Sequence, residues 1–391
     1  RARPVPRLHE MLQALGRRDA ETSGPAPVEF ERVDALIPRF FFGIGLLFAA
    51  RVAWLLLSQP ASSADWGALD STFASIVRAH FSGVSDVVRP VLPILLKATW
   101  TASGGSVLPF AVLVLAAHFG GAALFARALH ASGVSAWAAA LGALATVVTD
   151  ATALSAMCLT YHQAAFAKFF AAVVVWEFSR HAGPRVVIWL PAMFLGALSS
   201  EQFFAVGPLL VCCLMLRYGP RAAMSRLATP PLLTVALVFA GLIAARVAWH
   251  LVAATAADGP GSHPVTWRAV RWNLERHGAM MLENFGLSSH DMVVARWRRV
   301  ELLQLAILVS VALCGRVGAA NAARTLAWVG AWAAGSVTPN LPTSALPSEY
   351  SVLVGIQGIA TGIATLALAP LRATAAPHAS AHRRLVGRVA A

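Results

Sequence analysis

About ten apolar stretches of helix length run through this chain, near 36–57, 106–129, 133–157, 163–178, 185–199, 202–217, 230–255, 300–315, 321–338 and 350–371. This repetition constrains the fold more than any motif does. Hydrocarbon offers no partner to a backbone N–H or C=O, so a spanning segment must satisfy its own, and a helix needs about 20 apolar residues per crossing. The composition agrees: 58% hydrophobic residues, 13% charged residues and a mean hydropathy of +0.65 over 391 residues exclude a soluble globular domain. The expected fold class is therefore all-α, a polytopic transmembrane helix bundle of about ten spans, with interfacial helices in its outer loops. The fourth to sixth stretches are short for a crossing, which implies tilt, tight burial inside the bundle, or a smaller number of spans.

Charge placement orients the bundle, because short cytoplasmic loops carry an excess of Lys and Arg. With the N-terminus inside, the basic connections 1–32, 127–134, 179–185, 217–226 and 316–324 all fall on the cytoplasmic side, and so does the basic tail 372–388. The expected layout is a basic cytoplasmic segment over 1–35, a transmembrane domain over 36–371 and a basic cytoplasmic tail over 372–391. Outer loops then lie at 58–105, 256–300 and 339–349. The expected location is a bacterial inner membrane, crossed many times, with both termini in the cytoplasm. The net charge of +13 is explained by basic edges facing anionic lipid headgroups, and it requires no nucleic acid partner. The first 35 residues are polar and basic, and the first apolar run is long enough to stay in the bilayer, so an uncleaved anchor is expected. Cys158, Cys212, Cys213 and Cys314 fall in or at the ends of apolar stretches, where packing is their expected role. A Gly-rich phosphate loop, an HExxH pair, a G-x-S-x-G elbow and a CxxC pair are absent from the sequence.

The longer outer loops carry structure of their own. Leu69, Phe73, Ile76, Val77, His80 and Phe81 recur at spacings of three and four, which predicts an amphipathic interfacial helix. Val87 to Leu96, apolar around Pro90 and Pro93, predicts a turn and a second short helix. In the second loop Trp267, Trp272 and Trp297 alternate with Arg268, Arg271, Arg276, Arg296, Arg298 and Arg299. That pattern suits either contact with lipid phosphate or an aromatic belt that anchors an interfacial helix.

Short elements at four places in order along the chain, the first place holding two of them in one outer loop, resemble the glycosyltransferase C superfamily. These are integral-membrane enzymes that use polyprenyl-phosphate sugars, and the likeness is to the protein O-mannosyltransferase-like and aminoarabinose-transferase-like branches. Ala64-Asp65-Trp66-Gly67-Ala68-Leu69 resembles the Asp-Asp-aromatic-Gly-Leu-Leu opening of the family's first outer loop, and Arg89-Pro90-Val91-Leu92 resembles its Arg-Pro-Leu element. His118-Phe119-Gly120-Gly121-Ala122-Ala123-Leu124 is similar to the family's His-x-x-Asn-x-x-Leu run. Leu195-Gly196-Ala197-Leu198-Ser199-Ser200-Glu201-Gln202 is similar to its Leu-x-x-Lys-Glu-x element, and Pro347-Ser348-Glu349-Tyr350, opening the last apolar stretch, to its Arg-Tyr element. The departures are Ala64 for the first acid, Gly121 for Asn, Ser200 for Lys and Glu349 for Arg.

The resemblance implies a sugar transfer on the outer face, from a polyprenyl-phosphate donor to an unidentified acceptor. Asp65, matching the second acid of the family pair, becomes the candidate general base, although an Asp before Trp-Gly-Ala-Leu also suits a helix N-cap. Arg89, with Arg78 and Arg271 behind it, becomes the candidate for the leaving phosphate, which guanidinium groups grip with paired hydrogen bonds; snorkelling to lipid phosphate is the competing role for all three. Glu201 is a candidate for holding the acceptor or a divalent cation, or for pairing with Arg89 or Lys97; no motif fixes a cofactor. Asp70 reads as the solvated face of its helix, and His118, His162 and Tyr350 as supporting groups. Asp150 with Lys168 reads as a polar contact between helices, and Arg51 and Arg246 are expected to snorkel to the headgroups. Two other classes stay open: a catalytically inactive member of the fold that binds lipid or a partner membrane subunit, and a transporter or flippase, which Asp150 and Lys168 favour but the lack of repeat symmetry opposes.

Overall fold

The computed structural model describes residues 69–81, 89–134, 136–148, 162–180, 183–256, 267–283 and 319–338, and in the C-terminal part 354–355, 357–362 and 365. The expected spans at 36–57 and 300–315, together with Asp65, Asp150 and Tyr350, lie outside the described residues. Those residues form helices and no strand.

Residues 69–102 fold as the spacing predicts. Helix α1 (Phe73–Phe81) begins where the Thr72 hydroxyl accepts a bond from the Ser75 amide at 3.1 Å, satisfying a backbone donor that the helix cannot. Helix α2 (Val91–Ala102) opens at Pro90, whose fixed φ suits a helix start. Helix α3 (Leu108–Ala131) has Pro109 in its first turn and ends at Ser132-Gly133, where Gly133 takes a φ of +100° that other residues rarely adopt. Helix α4 (Ala136–Val148) follows at once, and after it come α5 (Gln163–Ser179) and α6 (Val186–Ala197). A 3₁₀ turn over Glu201–Ala205 runs directly into α7 (Val206–Tyr218), then α8 (Pro220–Leu227) and the 27-residue α9 (Pro230–Ala256). Helices α10 (Trp267–Glu283) and α11 (Ala319–Val337) complete the set.

The core is alanine-rich and centred on α5, which packs against α3, α6 and α7. Ala164, Ala165, Ala167, Ala171 and Ala172 of α5 are buried, so neighbouring backbones come close. At Gly121 of α3 a side chain would meet the α5 backbone at Phe169 Cα, 3.2 Å away. Close packing of small residues is how helices associate where lipid supplies no hydrophobic drive between them. Thus the short stretch at 163–178 is the most enclosed helix of the bundle, and the 185–199 stretch is a 12-residue helix with Pro191 inside it.

Among the described residues three helices are long and apolar enough to cross a membrane: α3, the continuous Glu201–Tyr218 helix, and α9 over Pro230–Trp249. Helix α9 buries little of itself, and its exposed residues include Leu233, Leu237, Ile243 and Val247, a surface suited to lipid. The C-terminal helices close over the core. Trp332 of α11 is fully buried edge-on against Phe125 at 5.7 Å and donates to the Val354 carbonyl at 2.7 Å. The Gln357 amide donates to the Ala122 carbonyl at 3.0 Å.

One contact sets the sense of the bundle. Arg217, near the end of α7, donates to the carbonyl of Ser179 at the end of α5, 2.6 Å away. The two helices are therefore parallel, and their starts, His162 and Glu201, share the opposite end.

Candidate functional site at the Glu201 end

Ser200 is extended, with a φ of −166°, and its hydroxyl accepts from the Gln202 amide, so it ends the link from α6 and starts the 3₁₀ turn. Just before it, Gly196 leaves room for the Phe203 ring, which occupies the place of a side chain. Together these put Glu201 at the first position of the helix, where a carboxylate faces unpaired backbone amides and the positive end of the helix dipole.

Two guanidinium groups converge on that carboxylate. Arg89, held just ahead of Pro90, donates from Nε to Glu201 Oε2 at 2.8 Å and again from Nη2. Arg246, from α9, pairs through Nη2 with Glu201 Oε1. The side chains of Glu201 and Arg246 are each 12% exposed and that of Arg89 is 28% exposed. The node thus joins three elements far apart in sequence. Beside it, the Lys97 ammonium donates to the Leu69 carbonyl and ties α2 to the start of α1. Of the two expected partners for Glu201, the structure uses Arg89 and sends Lys97 elsewhere.

Arg246 corrects the sequence reading, which had it snorkelling to headgroups. It pairs with Glu201 across 45 residues of sequence, a partner that no local spacing announced. The Lys168 Nζ lies 3.4 Å from His118 Nδ1 at the α3–α5 interface; Asp150, its expected partner, lies outside the described residues.

The other candidates are dispersed. Asp70 and Arg78 are exposed on and beside α1, and Arg271 bonds Glu275 at 3.0 Å on the surface of α10. His118 and His162 are buried. On α10, His277 is buried too, with Nδ1 2.7 Å from the Asn273 carbonyl; burial depresses its basicity and the Asn273 bond partly restores it. Among the described residues no group of three or more His, Cys, Asp or Glu is placed to hold a metal ion. Cys212 and Cys213 are buried unpaired thiols within the core.

At the opposite end a second carboxylate sits between two arginines. Glu177 accepts from Arg180 Nη1 at 3.0 Å, from Arg185 Nη2 at 2.7 Å and from the Arg185 backbone amide at 3.1 Å. Arg226 and Arg217 lie over the Tyr218 ring, 3.8 and 5.0 Å from its centroid.

Among the described residues these features define an all-helical bundle with helices long and apolar enough to cross a membrane and a charged node at each end of its core. No protein-family model, no curated protein and no solved structure matches the chain.

Proposed function

We propose that this chain is a membrane glycosyltransferase of the C type, with about ten spans, that moves a sugar from a polyprenyl-phosphate donor to an acceptor on the outer face of a bacterial inner membrane. One observation carries the reading: Arg89-Pro90 and Ser200-Glu201, two of the elements that resemble the family, lie 112 residues apart and meet in one ion pair. In the node they form with Arg246, the Arg89 guanidinium stays partly exposed, which suits a lipid phosphate held at headgroup height. In this reading the acceptor hydroxyl or amine gives its proton to the Asp65 carboxylate and bonds to the sugar C1. The C1–O bond to phosphate breaks with its electron pair, and polyprenyl phosphate departs.

Transfer of labelled sugar from a panel of polyprenyl-phosphate donors, by purified protein in lipid, tests the proposal. Asp65→Asn should lower turnover by about two to four orders of magnitude, the usual scale for losing a general base. Arg89→Ala should weaken donor binding. Equal turnover in wild type and Asp65→Asn removes Asp65 as the base.

A second reading is favoured by the same contact. Arg89 already has a carboxylate partner, and four polar positions of the family pattern are replaced. Both suit a catalytically inactive subunit that binds lipid phosphate or a partner chain. Donor binding without turnover, with every donor in the panel, would select it.

A further inference from the structure

The end of the bundle opposite Glu201 carries a basic surface that the transferase reading does not use. It is centred on the link 217–230, where the apolar Glu201–Tyr218 helix stops and α9 begins. Both helices are long and apolar enough to cross a membrane, so the link between them falls at headgroup height.

The link is built as a compact turn. Gly219 takes a φ of +77°, which glycine adopts without strain, and α8 folds back against the end of α7. Ala223 of α8 is fully buried and Leu227 packs on the core, which fixes the helix, while Arg221, Met224 and Arg226 stay exposed. Two guanidinium groups therefore meet one aromatic ring: Arg226 lies 3.8 Å and Arg217 5.0 Å from the centroid of Tyr218. The 2.6 Å bond from Arg217 to the Ser179 carbonyl fixes where that group stands.

Like charges gathered on one ring repel, and the sequence places no acid between Glu201 and Asp258, so α8 and the helix ends beside it bring no counter-charge of their own. Glu177, at the same end, is held by Arg180 and Arg185. Such an arrangement suits a bound anion, because planar guanidinium forks match the two free oxygens of a phosphodiester. Leu216 and Met224, close to these arginines along the chain, are exposed and offer apolar surface beside the charge. A phospholipid matches both features, whereas an acidic peptide would match the charge alone.

We propose that Arg217, Tyr218, Arg221 and Arg226 form a binding site for the headgroup of an anionic phospholipid, with its phosphodiester gripped by the two ring-stacked guanidinium groups and Arg221 as an outer contact. The site differs from a general attraction of basic edges to an anionic membrane, since it requires the ring and the forks as well as the charge. It stands apart from the transferase reading and would hold in the inactive subunit as well.

Native mass spectrometry of the full-length protein tests the site, after equilibration in detergent with equal amounts of phosphatidylglycerol and phosphatidylcholine of the same chains. The expected result is preferential retention of phosphatidylglycerol. Arg226→Gln should lower that preference about fivefold, the scale of one cation at a membrane surface. Arg226→Lys keeps the charge but loses the planar fork, and Tyr218→Leu keeps both arginines but removes the ring; each should lower the preference about twofold or more. The wild-type preference surviving unchanged in Arg226→Lys and Tyr218→Leu would reduce the effect to general attraction and overturn the site. Displacement of the phosphatidylglycerol by inorganic phosphate or by polyglutamate would overturn it too. So would equal retention of the two lipids by the wild type, which needs no variant to fold.

Discussion

The two ends of the bundle solve the same electrostatic problem with different reach. At each, a glutamate sits between two arginines. The partners of Glu177 are three and eight residues away and close the turn between α5 and α6, with a backbone amide as a further donor. The partners of Glu201 lie 112 residues upstream and on α9, so the same chemistry joins α2, α7 and α9. Solvent differs as well. Arg180 and Arg185 keep 23% and 53% of their side chains exposed, whereas Arg246 keeps 12%. Which glutamate matters more is decided by what its loss leaves behind, and not by its own burial.

The largest effect is therefore expected from Glu201→Ala. It removes the carboxylate that Arg89 and the 12%-exposed Arg246 share, and should cost about 3 kcal/mol, read as thermal unfolding in detergent. Glu177→Ala should cost less, about 1–2 kcal/mol, because its arginines can turn to water, and faster hydrogen exchange should stay near residues 183–190. A larger loss for Glu177→Ala would reverse the comparison. Gly196→Ala tests the support beneath Glu201: the new methyl collides with the Phe203 ring and should cost about 1–3 kcal/mol by overpacking. A double-mutant cycle on that glycine and Glu201 should show coupling, and none with Glu177.

Arg246→Met and Arg89→Met each leave Glu201 one partner and should cost about 1 kcal/mol, with Arg246→Met the costlier because it is the less exposed. The smallest effect comes from α10, which lacks such a node. His277 has a depressed folded-state pKa, so its neutral form is the one the fold prefers. The unfolded chain then takes the proton first, and stability should be fully present above the ordinary histidine value of about 6.5 and fall as the pH drops below it. His277→Gln should flatten that acid limb in a pH series of unfolding; an unchanged limb would remove His277 as its source.

The helices were legible in the sequence because apolar length and spacing are local quantities. Phe73–Phe81 follows from side chains three and four apart, and α3 and α9 follow from unbroken apolar runs. Partner choice was not legible. Glu201 suited Arg89, Lys97 or a ligand equally well on paper; only the packing of α2 against α3 and α5 brings Arg89 to it and turns Lys97 to a carbonyl. Lys168 meets His118 beside Gly121, a contact across two helices that no local spacing announced. The resemblance singled out Arg89 and Glu201, which do meet, while Asp65 and Tyr350 fall outside the described residues.

The bond from Gln357 to the carbonyl of Ala122 sets a timetable for assembly. Its partners are 235 residues apart, and beside it Gly142 offers Thr361 a seat that any larger residue would fill. At ordinary rates of synthesis the glutamine emerges on the order of ten seconds or more after the helix it must clasp. Until then the groove between α3 and α4 waits open, and it closes only when the helical stretch around Gln357 and Thr361 arrives.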